Sequence, residues 1–253
     1  NFGAFFASII VGYVGEVYGW HFGFSLAGLG MVLGQIIFIS GRKNFNGNFK
    51  PKKIIKTKYQ LNKIEIDRIK LIALASLILI IFWASFEQAG GLMNIFAYEK
   101  TDRFIDFLNF EVPASWFQSI NPLLIILLGF FVSGLWLSFQ RKGVLSSSIF
   151  KMAIGIIIMG VGFIFMFFAA KDAQIYGKSP MFWLILAYLF HTIGELCASP
   201  VILSFITKLS PKQLVASIMG IYFAAIGLGN KFAGSIGQYS EKLGEKTVFI
   251  GIT

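Results

Sequence analysis

Six long apolar runs in this sequence decide what it can fold into. Each reaches the length of about 20 residues that a helix needs to cross a bilayer core about 30 Å thick. The runs are His21–Ser40, Leu71–Ala97, Trp116–Phe139, Ile149–Ala170, Met181–Ile206 and Leu214–Ile236. They are too long for strands and too uniformly apolar for the surface helices of a soluble protein. The sequence therefore predicts an all-α, polytopic membrane helix bundle.

The composition excludes most other classes of protein. Hydrophobic residues make up 56% of the 253 residues and charged residues 13%, which leaves too little polar surface to cover a soluble enzyme. Cys197 is the only cysteine and there are two histidines, so neither a disulfide scaffold nor a metal-ligand spacing is present. The sequence has no glycine loop followed by Lys and Ser or Thr that would bind ATP phosphates. We predict that the chain is not an enzyme and needs no metal or organic cofactor.

Lysine and arginine are distributed unevenly between the segments that join the runs. Residues 41–70 hold ten of them, and this segment and every second one after it together hold fifteen, against six in the other segments. Because cytoplasmic loops of membrane proteins carry the excess of Lys and Arg, we predict that the loop Gly41–Lys70 is cytoplasmic in a multi-pass protein of the cell membrane. The net charge of +10 is then explained by topology and by contact with anionic lipid headgroups. We predict the lipid bilayer, and no nucleic acid, as a partner.

Both ends of the sequence predict partial spans. Residues 1–14 are apolar but shorter than a full span, and a new apolar run begins at residues 247–253. We therefore expect an internal piece of a longer membrane protein, with six full spans and two partial ones. The missing N-terminal spans of the same protein would be a partner of this chain.

Two carboxyl groups lie within the predicted spans, Glu87 in the second run and Glu195 in the fifth. A charge at the centre of a bilayer costs about 2.5–3.5 kcal/mol even on the mildest scale. Such a carboxyl is therefore protonated or paired, which is typical of a proton-coupled site or of a site for a cationic substrate. Neither side chain can reach an interface by snorkelling, whereas Lys231, near the end of its span, can.

Helical spacing places further candidates beside these carboxyls. Residues i and i+4 share a helix face, so Trp83 lies with Glu87, and His191 and Ser199 lie with Glu195. Trp83 offers a stacking or cation–π surface, although packing alone explains most tryptophans in membranes equally well. His191 is either a second proton-coupling group or a hydrogen-bonded packing residue.

Several strings of residues, in the right order along nearly the whole chain, resemble one family of transporters. The strings are Asn1–Phe5 with Gly19–His21, Phe82–Gly91 with Asn94–Ala97 and Lys100–Arg103, Pro113–Pro122, Gly194–Cys197 with Ser199–Pro200, and Met219–Gly220 with Gly229–Asn230. In that order they resemble spans five to six, seven, eight, ten and eleven of the proton-dependent oligopeptide transporters. This family belongs to the major facilitator superfamily.

The resemblance implies a bundle of the major facilitator type that runs from the fifth span to the start of the twelfth. Residues 1–40 are then the last two spans of the N-terminal bundle, 41–70 the inter-bundle loop and 71–253 the C-terminal bundle. The function that it implies is proton-coupled symport of di- and tripeptides, with protons as the coupling ion. The first-span acid and Arg motif and the fourth-span Lys of the family would lie before Asn1.

The resemblance also implies roles for single residues. Glu195 resembles the carboxylate that pairs with the amino terminus of the peptide, and Glu87 resembles the seventh-span acid of proton coupling. Asn1 and Asn121 resemble polar side chains that contact the peptide backbone. Tyr222 stands where many members carry Trp, so the resemblance implies a pocket of a different size for a peptide side chain. The predicted substrate-binding residues are Asn1, Trp83, Glu87, Asn121, Glu195, Ser199 and Tyr222, and the predicted proton-coupling residues are Glu87 and His191.

Two other functions stay open on the sequence alone. The same fold serves other solutes in some relatives, such as amino acids or nitrate. A membrane protein that transports nothing and only binds a partner is the second alternative. The two buried carboxyls argue against it, because an interaction scaffold has no use for two uncompensated acids.

Overall fold

The computed structural model describes residues 1–44, 60–143 and 147–253. Within these residues, six helical segments are long and apolar enough to cross a membrane, namely Trp20–Gly41, Lys63–Lys100, Ala114–Arg141, Ser148–Tyr176, Met181–Leu209 and Val215–Ser240. The prediction of an all-α, polytopic bundle is confirmed. Residues 45–59, the middle of the predicted cytoplasmic loop, lie outside the described residues, and the side of the membrane on which this loop lies stays a prediction.

The helices of the described residues follow the apolar runs closely. The α-helices are α1 Phe2–Tyr18, α2 Trp20–Gly41, α3 Lys63–Phe86, α4 Leu92–Lys100, α5 Ile120–Arg141, α6 Ser148–Tyr176, α7 Met181–Leu209, α8 Val215–Leu243 and α9 Glu245–Ile252. Four short 3-10 segments accompany them, at Arg42–Asn44, Glu87–Ala89, Asp106–Leu108 and Ala114–Ser119. The tightest packing is between α6 and α7, and α3 packs along α8.

Two small pairs of strands lie at one end of the bundle, which we call the strand end. The strand β1 (Thr101–Asp102) pairs in parallel with β4 (Ser179–Pro180), and β2 (Phe104–Ile105) pairs antiparallel with β3 (Phe110–Glu111). Arg103, between β1 and β2, is buried, and its guanidinium lies 2.9 Å from the carboxylate of Glu111. At the opposite end α3, α6 and α8 begin and α5 and α7 end, and we call this the cation-rich end.

Helix α3 begins at Lys63, within the segment that the sequence analysis assigned to the loop. The side chain of Asn62 accepts a hydrogen bond from the backbone N–H of Glu65 at 2.8 Å, and the Glu65 carboxylate accepts one from the backbone N–H of Asn62 at 3.0 Å. This capping box satisfies two amide groups that a helix start would otherwise leave without partners. Residues 63–70 of the predicted inter-bundle segment 41–70 are therefore helical, and the division of the chain into bundles and loop stays a prediction.

The second apolar run was predicted as one span, but its helix is interrupted in the middle. Helix α3 ends at Phe86, a 3-10 turn follows at Glu87–Ala89, and α4 begins at Leu92. The carbonyl of Glu87 accepts the N–H groups of Gly90 and Gly91, both at 3.2 Å, and so closes the turn. Two successive glycines weaken a helix by roughly 1 kcal/mol each relative to alanine, which explains why the interruption occurs here.

Two glycines allow α6 and α7 to approach each other closely. A Cβ atom on Gly155 would lie 2.7 Å from the carbonyl oxygen of Gly194 and 2.8 Å from the Cβ of Ala198. A Cβ atom on Gly194 would lie 2.6 Å from the carbonyl oxygen of Gly155. Only residues without a side chain fit at both positions, as is common where membrane helices cross. The crossing fixes α7, and with it Glu195, against α6.

Gly155→Ala is therefore expected to destabilise the bundle. The added methyl group has no free volume, so the two helices must move apart, which typically costs about 1–3 kcal/mol. The measurement is the apparent unfolding temperature of the purified protein in detergent. The matched control is Gly134→Ala on α5, where a Cβ atom would meet nothing within 4 Å. Equal shifts for the two variants would show that the crossing is not tightly packed.

Candidate functional site

Polar side chains line one face of α7 along the first half of the helix. His191 and Thr192 lie three and four residues after Tyr188, and Glu195 lies four and three residues after them, so the four side chains lie on neighbouring positions of the same face. The first three are buried and Glu195 is partly buried. This face is directed towards α5 and towards the interruption between α3 and α4.

The carboxylate of Glu195 is held by a side chain of α5. The amide of Asn121 donates hydrogen bonds to Oε2 of Glu195 at 2.8 Å and to Oγ1 of Thr192 at 3.1 Å. The hydroxyl of Thr192 donates in turn to the carbonyl of Tyr188 at 2.7 Å. A carboxylate has about four acceptor positions, so this arrangement orients Glu195 and leaves acceptors for a further donor.

Three side chains, Gln118, Tyr188 and Gln88, donate hydrogen bonds around the interruption between α3 and α4. The carbonyl oxygen of Ala89 accepts hydrogen bonds from Nε2 of Gln118 at 2.6 Å and from the hydroxyl of Tyr188 at 2.9 Å. Nε2 of Gln88 donates to the carbonyls of Ala84 and Ala233, the second at 3.2 Å. Backbone groups freed within a membrane need such partners, and these bonds keep Glu87 at a fixed place in the bundle.

Glu87 and Asn121, the side chain that holds Glu195, line one cavity of about 110 Å³. Its lining is Phe86, Glu87, Ala89, Gly90, Gln118, Asn121, Tyr188 and His191. Glu195 adjoins this cavity through its hydrogen bond to Asn121. Among the described residues, no ion pair gives Glu87 or Glu195 a basic partner. Repulsion between two such carboxylates disfavours the state in which both are charged, so the site calls for a proton or a cationic group.

His191 borders the same cavity but is held there by packing. Its ring lies 4.4 Å from the ring centroid of Phe163, and a side chain at Gly162 would collide with it. Neither ring nitrogen has a hydrogen-bond partner among the described residues. Within those residues, the ring packs without the hydrogen bonds that the packing alternative included, so both the proton-coupling and the packing role of His191 stay predictions.

The other predicted site residues do not line this cavity within the described part of the chain. Trp83 is partly buried on α3 and contacts Gly229 of α8, where a Cβ atom would lie 2.7 Å from the Cβ of Trp83. Tyr222 is buried in the apolar core with its ring 5% exposed, Ser199 is partly buried on α7, and Asn1 is exposed at the start of α1. Their roles in substrate binding stay predictions.

Gln118, Tyr188 and Thr192 belong to the site, although the sequence analysis did not select them. Tyr188, Thr192 and Glu195 have spacings of four and three residues, and Gln118 precedes Asn121 by three. Those spacings are the pattern of one helix face. The face of Glu195 indicates Tyr188 and Thr192, and the face of Asn121 indicates Gln118.

A further polar contact, also missed from the sequence, joins α1 to the start of α5. The carboxylate of Glu16 accepts hydrogen bonds from the backbone N–H groups of Ala114 at 3.0 Å and Ser115 at 2.7 Å. The indole N–H of Trp116 donates to the carbonyl of Ile9 at 3.1 Å. These bonds hold α1 against α5 near the strand end, beside the site.

A metal centre finds no support in the part of the chain that the structure describes. Residues 1–44, 60–143 and 147–253 contain no group of three His, Cys, Asp or Glu side chains that could hold a metal ion.

Comparison with known proteins places these features in a family. The sequence profile of the POT family matches residues 1–73 and 62–249. The peptide transporter YePEPT of Yersinia enterocolitica subsp. palearctica serotype O:3 (strain YE-P4) is 31% identical over 94% of this chain and 59% of its own length. The di-/tripeptide transporter of Lactococcus lactis subsp. cremoris is 26% identical over 89% of this chain and 57% of its own length. The chain thus spans about three fifths of the length of the curated relatives that it matches.

Solved structures show the same fold. The peptide transporter POT in complex with sulfate has a TM-score of 0.84 at 24% identity, over 100% of this chain and 62% of that chain. A variant of that transporter in complex with alafosfalin has a TM-score of 0.85 at 24% identity, over 100% of this chain and 61% of that chain. The predicted bundle of the major facilitator type is confirmed.

The family follows from the sequence comparisons. The profile matches far more than half of the chain, and a relative more than 30% identical aligns with 94% of it. The relatives are named as transporters, in agreement with the prediction that the chain is not an enzyme. The chain belongs to the POT family.

Proposed function

We propose that this chain is part of a carrier that moves di- and tripeptides across the cell membrane together with protons. The observation that supports this proposal most is that Glu87 lines one cavity with Asn121, the hydrogen-bond partner of Glu195, and that neither carboxyl has a basic partner in the described residues. The names of the relatives, a peptide transporter and a di-/tripeptide transporter, support peptides as the substrate. Residues 1–40 and 71–253 are proposed to belong to the two bundles, with the loop 41–70 on the cytoplasmic side.

Glu195 is proposed to bind the ammonium group at the amino terminus of the peptide. Asn121 holds one oxygen of the carboxylate at 2.8 Å, so the orientation exists before the substrate arrives. An ammonium group carries three N–H donors and fits the free acceptor positions of the carboxylate. The amide of Asn121 would also lie next to the first peptide group of a bound substrate.

Glu87 is proposed to carry the coupling proton. Since repulsion disfavours two ionised carboxylates at one site, the charges are balanced when the substrate ammonium neutralises Glu195 and a proton neutralises Glu87. Loading then requires both ligands, which is the condition for symport. The position of Glu87 at the interruption between α3 and α4 also fits the interrupted helices at which transporters bind substrate and ions.

His191 is a weaker candidate for the proton than Glu87. Its ring is 1% exposed and packs on Phe163, and neither nitrogen has a partner in the described residues to share a charge. Protonating a buried imidazole that has no hydrogen-bond partner costs free energy. We retain Trp83, Tyr222, Ser199 and Asn1 as side chains that contact the rest of the peptide.

The test uses the chain in its complete open reading frame, reconstituted into proteoliposomes. An inward-directed proton gradient should drive accumulation of a labelled dipeptide above the external concentration, and a protonophore should abolish that accumulation. Unlabelled dipeptides and tripeptides should compete, whereas single amino acids and nitrate should not. Accumulation that survives the protonophore would contradict proton coupling. Competition by nitrate or by single amino acids in place of peptides would support the other solutes that the sequence left open.

A further inference from the structure

A second pocket, outside the site described above, lies between α5, α6 and α7 near the cation-rich end. Its volume is about 280 Å³. Polar groups come from Ser133 and Gln140 of α5 and from Lys151 of α6, and apolar walls come from Leu137 of α5 and Val201 of α7. The pocket thus combines a charged part with an apolar part, as a lipid molecule combines a charged headgroup with apolar acyl chains.

The charged part holds a cation without a carboxylate partner. The ammonium of Lys151 lies 5.1 Å from the ring centroid of Trp136. No ion pair among the described residues includes Lys151. The aromatic face orients the ammonium group but brings no full negative charge, so Lys151 is free to bind an anion.

A buried donor lies beside that cation. Trp136 is 9% exposed and lines the pocket, and its indole N–H has no hydrogen-bond partner within the described residues. The thiol of Cys197 offers the indole at most a weak hydrogen bond, because sulfur is a weak acceptor. A buried N–H group without a partner costs about 1–3 kcal/mol. An anionic oxygen in the pocket would supply the partner.

The depth of the pocket matches that of a lipid headgroup. Lys151 lies in the first turn of α6, which begins at Ser148, so it is about 5 Å from the helix start at a rise of 1.5 Å per residue. The start of a long helix carries positive partial charge. Arg141 and Lys142, at the end of α5, are exposed and add two cations at the same level.

We propose that this pocket binds an anionic phospholipid, with its phosphate on Lys151 and the indole N–H of Trp136. One acyl chain lies along the apolar wall formed by Leu137 and Val201. Charge complementarity favours this occupant, because Lys151 lines the pocket, two exposed cations lie at the nearby end of α5, and the cytoplasmic leaflet, where the cation-rich end is predicted to lie, carries the anionic lipids. A soluble phosphate ion would leave the apolar walls unused.

The test is native mass spectrometry of the purified protein, expressed from its complete open reading frame and titrated with defined lipids. Phosphatidylglycerol and phosphatidylcholine with identical acyl chains are compared, and inorganic phosphate is added in a third arm. The variants are Lys151→Gln, which removes the charge, and Trp136→Phe, which keeps a ring but removes the N–H. The matched control is Lys171→Gln, the same change at an exposed position near the opposite end of α6.

The wild type should bind phosphatidylglycerol more tightly than phosphatidylcholine. Lys151→Gln should weaken phosphatidylglycerol binding about fivefold, and Trp136→Phe about tenfold, while phosphatidylcholine binding and the Lys171→Gln variant stay unchanged. If Trp136→Phe fails to fold, Lys151→Gln against Lys171→Gln still decides. Equal affinity for the two lipids, equal effects of the two lysine variants, or displacement of the lipid by inorganic phosphate would overturn the proposal.

Discussion

Glu195→Gln should weaken the binding of a dipeptide with a free amino terminus by a few hundredfold or more. In the proposed wild-type complex, the substrate ammonium lies against a carboxylate that Asn121 already orients. With an amide at this position, the ammonium is buried without a counter-charge, and breaking a buried pair in this way costs about 3–5 kcal/mol. Since 1.4 kcal/mol corresponds to a factor of about ten in affinity, the loss amounts to at least two orders of magnitude.

Counterflow of a labelled dipeptide in proteoliposomes, with the protein from its complete open reading frame, measures this effect as a rise in the half-saturating concentration. The matched control is Glu99→Gln, the same change of a carboxyl to an amide at an exposed position of α4. The control should leave counterflow unchanged. A half-saturating concentration that is the same for Glu195→Gln and for the wild type would show that Glu195 does not bind the substrate.

Glu87→Gln is expected to have a different effect of similar size. The amide imitates the protonated acid, so the variant should bind and exchange peptide at close to the wild-type rate. It cannot release a proton, so a proton gradient should no longer drive accumulation, and the internal peptide concentration should only equal the external one. The large effect is on accumulation and the small one on exchange.

The measurement combines two assays on the same proteoliposomes. Counterflow reports peptide exchange without net proton movement, and uptake under an inward proton gradient reports coupling. Glu195→Gln is the internal reference, because it should impair counterflow at low peptide concentration while Glu87→Gln does not. Accumulation of peptide against its gradient by Glu87→Gln would assign the coupling proton to another group, and His191 would then be the first to examine.

The sequence predicted the main features of this fold because the bilayer restricts the choice so strongly. Runs of 20 or more apolar residues can only be spanning helices, and the structure contains a helix for each of them. Two local features that were not predicted also have recognisable signatures in the sequence. The pair Asn62 and Glu65 forms a capping box, and the pair Gly90 and Gly91 follows the end of a helix in the middle of a span.

The two carboxyls of the site were predicted for a similar reason, since few ionisable groups are tolerated at that depth. Their surroundings could not be predicted from one sequence. The bond between Asn121 and Glu195 joins residues 74 positions apart, and the bonds from Glu16 to the start of α5 join residues 98 and 99 positions apart. Such contacts depend on how helices are arranged in space, which the periodicity of a single helix does not report.

The burial of His191 also depended on its neighbours. Spacing placed it near the face of Glu195, but Gly162 and Phe163 on α6 determine that its ring is packed rather than solvated. The sequence of α7 alone carries no information about the residues of α6. The identity of the facing residue, rather than the spacing of the histidine, separates a packing role from a proton-coupling role.

Glu195 is proposed to bind the amino terminus of a peptide, and a thermodynamic cycle tests this role most directly. The dissociation constants of one dipeptide and of its acetylated form are measured for the wild type and for Glu195→Gln. The coupling free energy between the Glu195→Gln change and acetylation of the peptide should be about 3 kcal/mol or more. Only the free ammonium loses its partner in the variant, because the acetylated peptide has no ammonium. A coupling within about 0.5 kcal/mol of zero, with both peptides affected alike, would contradict this role.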